Sequence, residues 1–301
     1  MNKPLASGLR DIAIGVTDLD AAERFYVDTW HLSVAARSDD AVYLRGTGPH
    51  HHILALHRSA APEVRMVTFD VASDENLDII ARNAAEHGGA LLAERHAVTE
   101  PGGGTAVIIR DPQDRVLRFV HGAARHADTA EKKDHPVKIT HVVCNSADVS
   151  VAQRFFENAL GFTLSDRTKI MAFMRCCSDH HSIALADSDD NTLNHIAFLM
   201  PDLDSVMRGG GRMRDAGYPI EWGVGRHGPG NNVFSYFIGP AGFVVEYTAE
   251  VEQVDESYVT RGPDEWKWPP GRVDQWGVSA APSDKVKQAQ KVIRFAAHGG
   301  Q

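Results

Sequence analysis

The sequence predicts an α+β fold in which four βαβββ units pair into two modules with cupped mixed sheets. Two internal repeats carry this prediction. The segment DIAIGVTDLDAAERFY from Asp11 aligns without a gap with HVVCNSADVSVAQRFF from His141, at an offset of 130 residues. Farther along, DPQDRVLRF from Asp111 matches GPAGFVVEY from Gly239 at an offset of 128 residues. Because the offset drifts so little, we interpret the chain as two copies of one module.

Each copy divides into two similar units, since a strand, a turn and a helix recur within it. In the second copy we expect a strand over 138–144, a helix over 149–160 capped by Asp148, and then three short strands. The next unit is expected to run from a strand over 193–199 through a helix over 203–216 to strands that end at Thr248. Glycines 209–211 each cost about 1 kcal/mol in a helix, so we expect a kink or break there.

The last two strands of the second copy form a predicted hairpin over 232–238 and 243–248, with a Gly-Pro-Ala-Gly turn between them. Glu246 lies in the middle of the second strand. A carboxylate is costly there unless it has a partner such as a metal or a base. An edge strand that leaves Glu246 in water is the alternative interpretation.

The chain is expected to form an N-terminal module over 1–130, a C-terminal module over 137–250 and a non-repeated tail over 251–301. The polar segment 122–136 either links the modules or ends the first one. Trp266, Trp268 and Trp276 indicate that the tail packs on the second module or on a neighbouring subunit. The stretch 283–297 predicts a basic helix.

Composition argues against several classes of partner. With 31 basic and 40 acidic residues, a net charge of -9 and no basic block, the chain is not expected to bind nucleic acid. No apolar run reaches membrane-spanning length, and the start MNKPLASGLRD lacks the apolar core of a secretory signal. We therefore expect a cytoplasmic protein without a membrane partner. The 3 cysteines form no disulfide framework, whereas the 16 histidines favour metal chemistry.

Two histidines and one glutamate form a candidate metal site. His141 and His195 occupy equivalent positions in the first strands of the two C-terminal units, and Glu246 lies in the last strand. Equivalent inward-facing positions of a cupped sheet converge on its interior. Two imidazoles and one carboxylate with open positions form a facial triad suited to Fe(II) or Mn(II). A lone histidine is more often a core residue, so the prediction rests on the set of three.

The N-terminal module supplies an internal control. The repeat offsets place Asp11, Met66 and Arg118 at the positions equivalent to the triad. A thioether and a guanidinium are the wrong groups for a hard divalent metal. We therefore expect this module to be structural and to bind no metal.

These residues resemble the type I extradiol ring-cleavage dioxygenases of the vicinal oxygen chelate superfamily, the family of catechol 2,3-dioxygenase and 2,3-dihydroxybiphenyl 1,2-dioxygenase. The motif THVV matches the family's first metal histidine, LNHIAF its second and FVVEY its glutamate, and the resemblance covers about residues 8–250. It implies the vicinal oxygen chelate fold, Fe(II) with Mn(II) as the alternative, and no organic cofactor. It also implies a homo-oligomeric enzyme that cleaves a catechol-type ring with dioxygen, in the degradation of aromatic compounds.

The resemblance implies roles for three further residues. The pattern HHSIAL places the family's acid/base histidine at His181, on a strand, with His180 as the competing assignment. The closing signature GRHGPGNNVFSYFIGPAGFVVEY places hydrogen-bond donors to the substrate at His227 and Tyr236.

One departure from the family pattern lies in the same signature. Many members have an aspartate three residues after the loop histidine, whereas this chain has Gly230. A hydrogen bond that positions the loop or the acid/base histidine is then either missing or supplied by Asn231.

The superfamily also contains glyoxalase-type isomerases, fosfomycin-resistance enzymes and metal-free drug-binding proteins, and a fold alone does not separate them. Glyoxalases and fosfomycin enzymes assemble their site from both modules or both subunits. Here Asp11, Met66 and Arg118 argue against such a shared site. A binding protein would need neither the triad nor His181.

Overall fold

The computed structural model describes residues 4–297 and contains two mixed sheets, one in each copy of the repeat. The first three residues of the predicted N-terminal module and the last four of the tail lie outside the described residues. Among the described residues, no helix is long and apolar enough to cross a membrane.

The first copy forms these elements in chain order: β1 (Ala6–Val16), α1 (Leu19–Arg24), β2 (Ser33–Arg37), β3 (Ala41–Arg45), β4 (Leu54–Arg58), β5 (Glu63–Val71), α2 (Asp74–Glu86), β6 (Ala90–Ala97), β7 (Thr105–Arg110) and β8 (Val116–His121). Helix α1 continues as a π-helical turn over Phe25–Thr29. The strands lie in the order β2-β3-β4-β1-β5-β8-β7-β6. Parallel pairing of β1 with β4 and of β5 with β8 makes the sheet mixed.

The second copy forms the matching elements: β9 (Lys138–Ser146), α3 (Val149–Asn158), β10 (Thr163–Arg167), β11 (Met171–Arg175), β12 (Ile183–Asp187), β13 (Leu193–Leu199), α4 (Leu203–Asp215), β14 (Trp222–Arg226), β15 (Val233–Ile238) and β16 (Val244–Ala249). A short 3-10 turn, Pro240–Gly242, joins β15 to β16. The order β10-β11-β12-β9-β13-β16-β15-β14 repeats that of the first sheet, so the predicted fold of four βαβββ units in two mixed sheets is confirmed.

The hydrogen-bond register reproduces the offsets in the sequence. In the first sheet β5 lies between β1 and β8, and in the second sheet β13 lies between β9 and β16. One residue of each middle strand pairs with a residue on both neighbouring strands. These sets are Asp11, Thr68 and Arg118 in the first sheet, and His141, Ala197 and Glu246 in the second. Met66 lies two residues before Thr68, as His195 lies two residues before Ala197. Asp11, Met66 and Arg118 are therefore equivalent in space to His141, His195 and Glu246.

Helix starts follow the sequence, but one predicted break does not occur. Asp148 caps α3 as predicted, because its Oδ1 accepts a hydrogen bond of 3.0 Å from the backbone N of Val151. The expectation of a kink or break at 209–211 is wrong, since α4 is continuous. A Cβ on Gly209 would lie 2.7 Å from the ring of Tyr247, so the missing side chain lets the helix pack closely on the sheet.

Strand β16 places its side chains in two different environments, because they alternate between the two faces of the sheet. Tyr247 stacks on Trp30 of the N-terminal module with ring centroids 3.7 Å apart, and its hydroxyl donates a hydrogen bond of 3.0 Å to the Trp30 carbonyl. This contact joins the two modules in one aromatic core. Glu246 consequently points to the opposite face.

The tail contacts both sheets. The expected basic helix over 283–297 is wrong in its extent, because α5 covers only Asp284–Ala289 and a strand, β17 (Arg294–Phe295), follows it. Strand β17 pairs with β5 of the first sheet, and the partly buried Phe295 packs on the core. Tertiary pairing at a sheet thus overrides the helical pattern. Contact of the tail with a neighbouring subunit stays a prediction.

Candidate metal centre and active site

One face of the second sheet brings together His141, His195 and Glu246, which lie on the adjacent strands β9, β13 and β16. The Nε2 atoms of His141 and His195 are 3.2 and 3.1 Å from the same oxygen, Oε2 of Glu246. Strand β16 is flanked by β13 and β15, and Glu246 is fully buried. The alternative of an edge strand with this carboxylate in water is therefore wrong.

The spacing and orientation of these three groups fit a divalent metal ion. Ligands held at ~2.1 Å from one ion and at right angles lie ~3.0 Å apart, close to the distances between these nitrogen and oxygen atoms. His195 Nδ1 donates a hydrogen bond of 2.7 Å to Asn194 Oδ1. The ring proton is then on Nδ1 and the lone pair on Nε2, the nitrogen that faces Glu246. The donor set is thus suited to Fe(II) or Mn(II).

The electrostatics of Glu246 and His195 favour the protonation states that bind metal. Burial raises the pKa of Glu246, but hydrogen bonds and charge interactions with His141 and His195 outweigh burial and hold the pKa well below its usual value. Burial lowers the pKa of His195. An ionised carboxylate beside neutral imidazole is the form that a metal requires.

The two adjacent histidines point in different directions. His181 borders the cavity beside the candidate site, with its ring centroid 4.2 Å from that of His141. His180 instead contacts Asp166 through Nε2 at 2.9 Å. Of the two assignments left open by the sequence, the one with His181 at the cavity matches the geometry. Burial, and next the neighbouring His141, lower the pKa of His181 well below its usual value, so its ring is neutral.

His181 was expected on a strand, but it lies in the loop immediately before β12. The backbone N–H of His180 donates a hydrogen bond of 2.9 Å to the carbonyl of Glu252, in the tail. The tail therefore takes the place of a neighbouring strand at this point. The sequence could not reveal this contact, because it joins segments far apart in the chain.

His227 and Tyr236 meet beside His195. The Tyr236 hydroxyl lies 3.0 Å from His227 Nε2 and 3.4 Å from His195 Nε2. Burial, and then the charge of Glu246, raise the pKa of Tyr236 well above its usual value. Burial lowers the pKa of His227 to about 4. Both side chains are consequently neutral hydrogen-bonding groups at neutral pH.

A cavity of about 560 Å³ opens beside these residues, and aromatic side chains form much of its wall. Sequence reasoning missed Trp222, which stacks on Tyr236 at 4.9 Å between ring centroids. Trp266 and Trp268 were expected to pack on the second module or on a neighbouring subunit, but they were not predicted to lie at the site. Both border the cavity, and a Cβ on Gly228, in the loop after β14, would lie 2.6 Å from Trp268. The tail therefore forms part of the wall.

Gly230 lies directly against His181. Its φ of +81° is in the left-handed region, and an added Cβ would lie 3.1 Å from His181 Cε1. Asn231 does not take the place of the family aspartate, because its side-chain oxygen accepts a hydrogen bond of 3.2 Å from Gln275 Nε2. The departure at Gly230 thus brings the loop backbone close to the histidine ring.

The equivalent region of the N-terminal module contains an ion-pair network. Arg118 Nη2 lies 3.4 Å from Asp11 Oδ1, and Arg118 also pairs with Glu100. Burial raises the pKa of Asp11, but Arg118 and other cations outweigh burial and lower it. The guanidinium neutralises a carboxylate at the place where the second module has its three metal-ligand types. The absence of a metal from this module stays a prediction.

Another group of ligand-type side chains, His31, Asp134 and His135, lies partly exposed between the modules. Arg212 Nη1 already pairs with Asp134 Oδ2 at 2.8 Å. A second cation would have to compete with that guanidinium, so the buried triad is the stronger candidate for a metal.

Comparison with known proteins agrees with this fold. Residues 138–247 match the family described as the Glyoxalase/Bleomycin resistance protein/Dioxygenase superfamily. The solved structure of the Mn(II)-bound glyoxalase from Novosphingobium aromaticivorans is 32% identical, covers 94% of each chain and superposes with a TM-score of 0.87. The chain therefore belongs to the glyoxalase/bleomycin resistance protein/dioxygenase superfamily, and the expected vicinal oxygen chelate fold is confirmed.

Two relatives have names that refer to catechol cleavage. Metapyrocatechase 2 from Cupriavidus necator is 32% identical over 186 residues, which are 59% of this chain and 50% of that protein. The 3-methylcatechol 2,3-dioxygenase from Pseudomonas putida is 25% identical over 213 residues, which are 64% of this chain and 73% of that protein. This chain thus spans half the length of the metapyrocatechase.

Proposed function

We propose that this protein is an extradiol dioxygenase that cleaves a catechol-type ring with dioxygen, using one Fe(II) ion held by His141, His195 and Glu246. The observation that carries the proposal is the arrangement of five groups on a single module. The Nε2 atoms of His141 and His195 lie 3.2 and 3.1 Å from Glu246 Oε2. His181 and Tyr236 border the cavity beside them. The names of the two curated relatives support the same reaction class.

When bound there, Fe(II) would supply redox chemistry and open coordination positions for a diol and for dioxygen. The three protein groups would orient the ion and leave one side of it open to the cavity. Glu246, ionised and buried, offsets part of the ion's charge. The positive charge of a bound ion would also explain why the sheet tolerates the buried Glu246 carboxylate at its centre.

His181 is the proton-transfer group in this proposal. It borders the cavity and is neutral, so it can accept a proton from a catechol hydroxyl and return it during ring cleavage. It is not needed as a ligand, because the facial set is complete with three groups. Positioned acid/base catalysis of this kind contributes roughly 10²- to 10⁴-fold in rate.

Tyr236 and His227 provide polar groups in the cavity wall, opposite His181. The phenol stays protonated and can donate a hydrogen bond to a substrate oxygen on which charge develops. His227 contacts the same hydroxyl at 3.0 Å and orients it. The aromatic side chains Trp222 and Trp268 provide an apolar surface for the ring and its substituents.

We also propose that the N-terminal module has a structural role. Its Arg118 and Asp11 form an ion pair at the place equivalent to the metal site. Its Trp30 packs against Tyr247, next to Glu246 in the chain, and thereby supports β16.

The test is metal content and product formation by protein purified without oxygen. Loading with Fe(II) should give one ion per chain, and catechol with air should give the yellow ring-fission product. His195→Ala should lose both. Tyr218 packs on Phe25 of the N-terminal module and does not line the cavity. It offers a control variant, Tyr218→Phe, that should retain both. Wild-type protein that binds iron but leaves every catechol intact would refute the proposed reaction.

A glyoxalase activity is the second candidate, and one observation favours it. The Mn(II)-bound glyoxalase from Novosphingobium aromaticivorans resembles this protein over 94% of the chain. The same protein samples, loaded with Mn(II), should therefore be tested with methylglyoxal and glutathione. Isomerisation in that assay without ring cleavage in the first would favour the glyoxalase.

A further inference from the structure

Three buried side chains form a hydrogen-bonded row behind the cavity. His181 Nδ1 lies 3.1 Å from His180 Nδ1, and His180 Nε2 lies 2.9 Å from Asp166 Oδ2. Asp166 and His180 are completely buried, and His181 is 3% exposed. Of these three residues, only His181 borders the cavity, so whatever fixes the row also fixes the orientation of His181.

The direction of each hydrogen bond follows from the carboxylate. An ionised carboxylate only accepts, so His180 Nε2 must donate to Asp166. A neutral His180 then has its lone pair on Nδ1, and His181 Nδ1 must donate to it. His181 is left with its lone pair on Nε2, the ring nitrogen that the row does not occupy.

Asp166 has charged and polar partners besides His180. The backbone N of Arg261 donates to its Oδ1 at 2.9 Å, and the Tyr258 hydroxyl donates to its Oδ2 at 2.9 Å. The Arg261 guanidinium lies 3.6 Å from Oδ2. This cation balances the charge of the carboxylate. Tyr258 and Arg261 both belong to the tail, which thereby holds Asp166 in place.

The loop that contains Gly230, on the other side of the His181 ring, cannot supply a carboxylate that orients His181. Gly230 has no side chain, and a Cβ there would lie 3.1 Å from His181 Cε1 and 3.3 Å from its Nδ1. A side chain does not fit in that space without moving the ring. The carboxylate that orients His181 consequently comes from β10, through His180.

We propose that Asp166 and His180 are positioning residues that hold His181 in the tautomer with a proton on Nδ1 and the lone pair on Nε2. In this state His181 can accept a proton from a ligand in the cavity as soon as the ligand binds. The importance of the tautomer for turnover rests on the proposed function, but the tautomer itself is a property of the protein and can be measured without any reaction.

Nitrogen-15 NMR of histidine-labelled, metal-free protein tests the tautomer directly, since protonated ring nitrogens and lone-pair nitrogens resonate in separate regions. The His181 signals are identified by their loss in His181→Gln. We expect a protonated Nδ1 and an unprotonated Nε2 on His181, with the reverse on His180. A proton on Nε2 of His181, or protons on both nitrogens of His180, would overturn the proposal on the wild-type spectrum alone.

Asp166→Asn should reverse the donor and acceptor roles in both hydrogen bonds of the row. The Arg261 backbone N–H keeps the amide oxygen at the Oδ1 position, so the amide NH₂ faces His180 and donates to Nε2. His180 then donates from Nδ1, and His181 carries its proton on Nε2. Tyr258→Phe is the matched control, because it removes a hydrogen bond to the same carboxylate oxygen without changing the row. An unchanged His181 tautomer in folded Asp166→Asn would contradict the proposal.

Kinetics separate this inference from the proposed function. Asp166→Asn should lower kcat by about 10²-fold, with KM and iron content near wild type, whereas Tyr258→Phe should change kcat much less. If wild-type protein has no ring-cleavage activity, the proposed function fails while the spectra still decide the tautomer. If activity is present and Asp166→Asn retains it, the positioning role fails instead.

Discussion

The contact between Gly230 and His181 leads to a sharp prediction about activity and stability. In Gly230→Ala, the new methyl group would lie 3.1 Å from His181 Cε1, and the backbone φ of +81° would be strained. The strain costs roughly 1–2 kcal/mol, and the less flexible unfolded chain returns about 0.4–1 kcal/mol, so we expect a net destabilisation of about 1 kcal/mol. The His181 ring must also move by a few tenths of an ångström, which should lower kcat about tenfold.

Gly217 provides the matched control for this variant. It has a φ of +88°, it is exposed after the end of α4, and no atom lies within 4 Å of a Cβ built on it. Gly217→Ala should therefore lose a similar amount of stability in urea unfolding while keeping wild-type kcat and iron content. Equal activity in the two variants would refute the close packing of the loop on His181. Loss of iron in Gly230→Ala would show that the loop acts on the ligands instead.

Further predictions concern His181, the N-terminal module, the tail and a thiol. His181→Gln should keep iron and catechol binding while kcat falls about 10²- to 10⁴-fold, and iron loss in this variant would make His181 a ligand. Arg118→Ala should leave the iron stoichiometry unchanged by elemental analysis, whereas a second ion lost on this change would mean that the N-terminal module binds metal. Trp268→Ala should raise KM for aryl-substituted catechols about 3- to 10-fold with little effect on catechol itself, and Trp276→Ala, outside the cavity wall, should not. A hydrogen bond with the neighbouring thiol lowers the pKa of Cys177 to about 6, so iodoacetamide should label it readily at neutral pH and slowly below pH 6, as peptide mass spectrometry would measure.

Much of the fold could be predicted because the chain repeats itself. The offsets that relate His141 to Asp11 and Glu246 to Arg118 are reproduced in the strand register. A β-strand alternates its side chains strictly, so the position of one inward residue determines its neighbours. The grouping of the two histidines with the glutamate followed from this regularity.

The features that escaped prediction depend on contacts between segments far apart in the chain. Whether His180 or His181 faces the cavity depends on the tail, since the Glu252 carbonyl holds the His180 backbone and Arg261 holds Asp166. The tail has no counterpart in the repeat, so no offset could place it. The continuous helix α4 likewise depends on Tyr247, whose ring occupies the space beside Gly209.

Labelled dioxygen tests the central proposal most directly. Protein loaded with Fe(II) is mixed with catechol under ¹⁸O₂, and the ring-fission product is analysed by mass spectrometry, with His195→Ala treated in parallel. If the triad supports extradiol cleavage, the wild-type product contains oxygen from ¹⁸O₂ and the variant forms none. A product without label, or the same yield from His195→Ala, would contradict a ring-cleaving metal site at His141, His195 and Glu246.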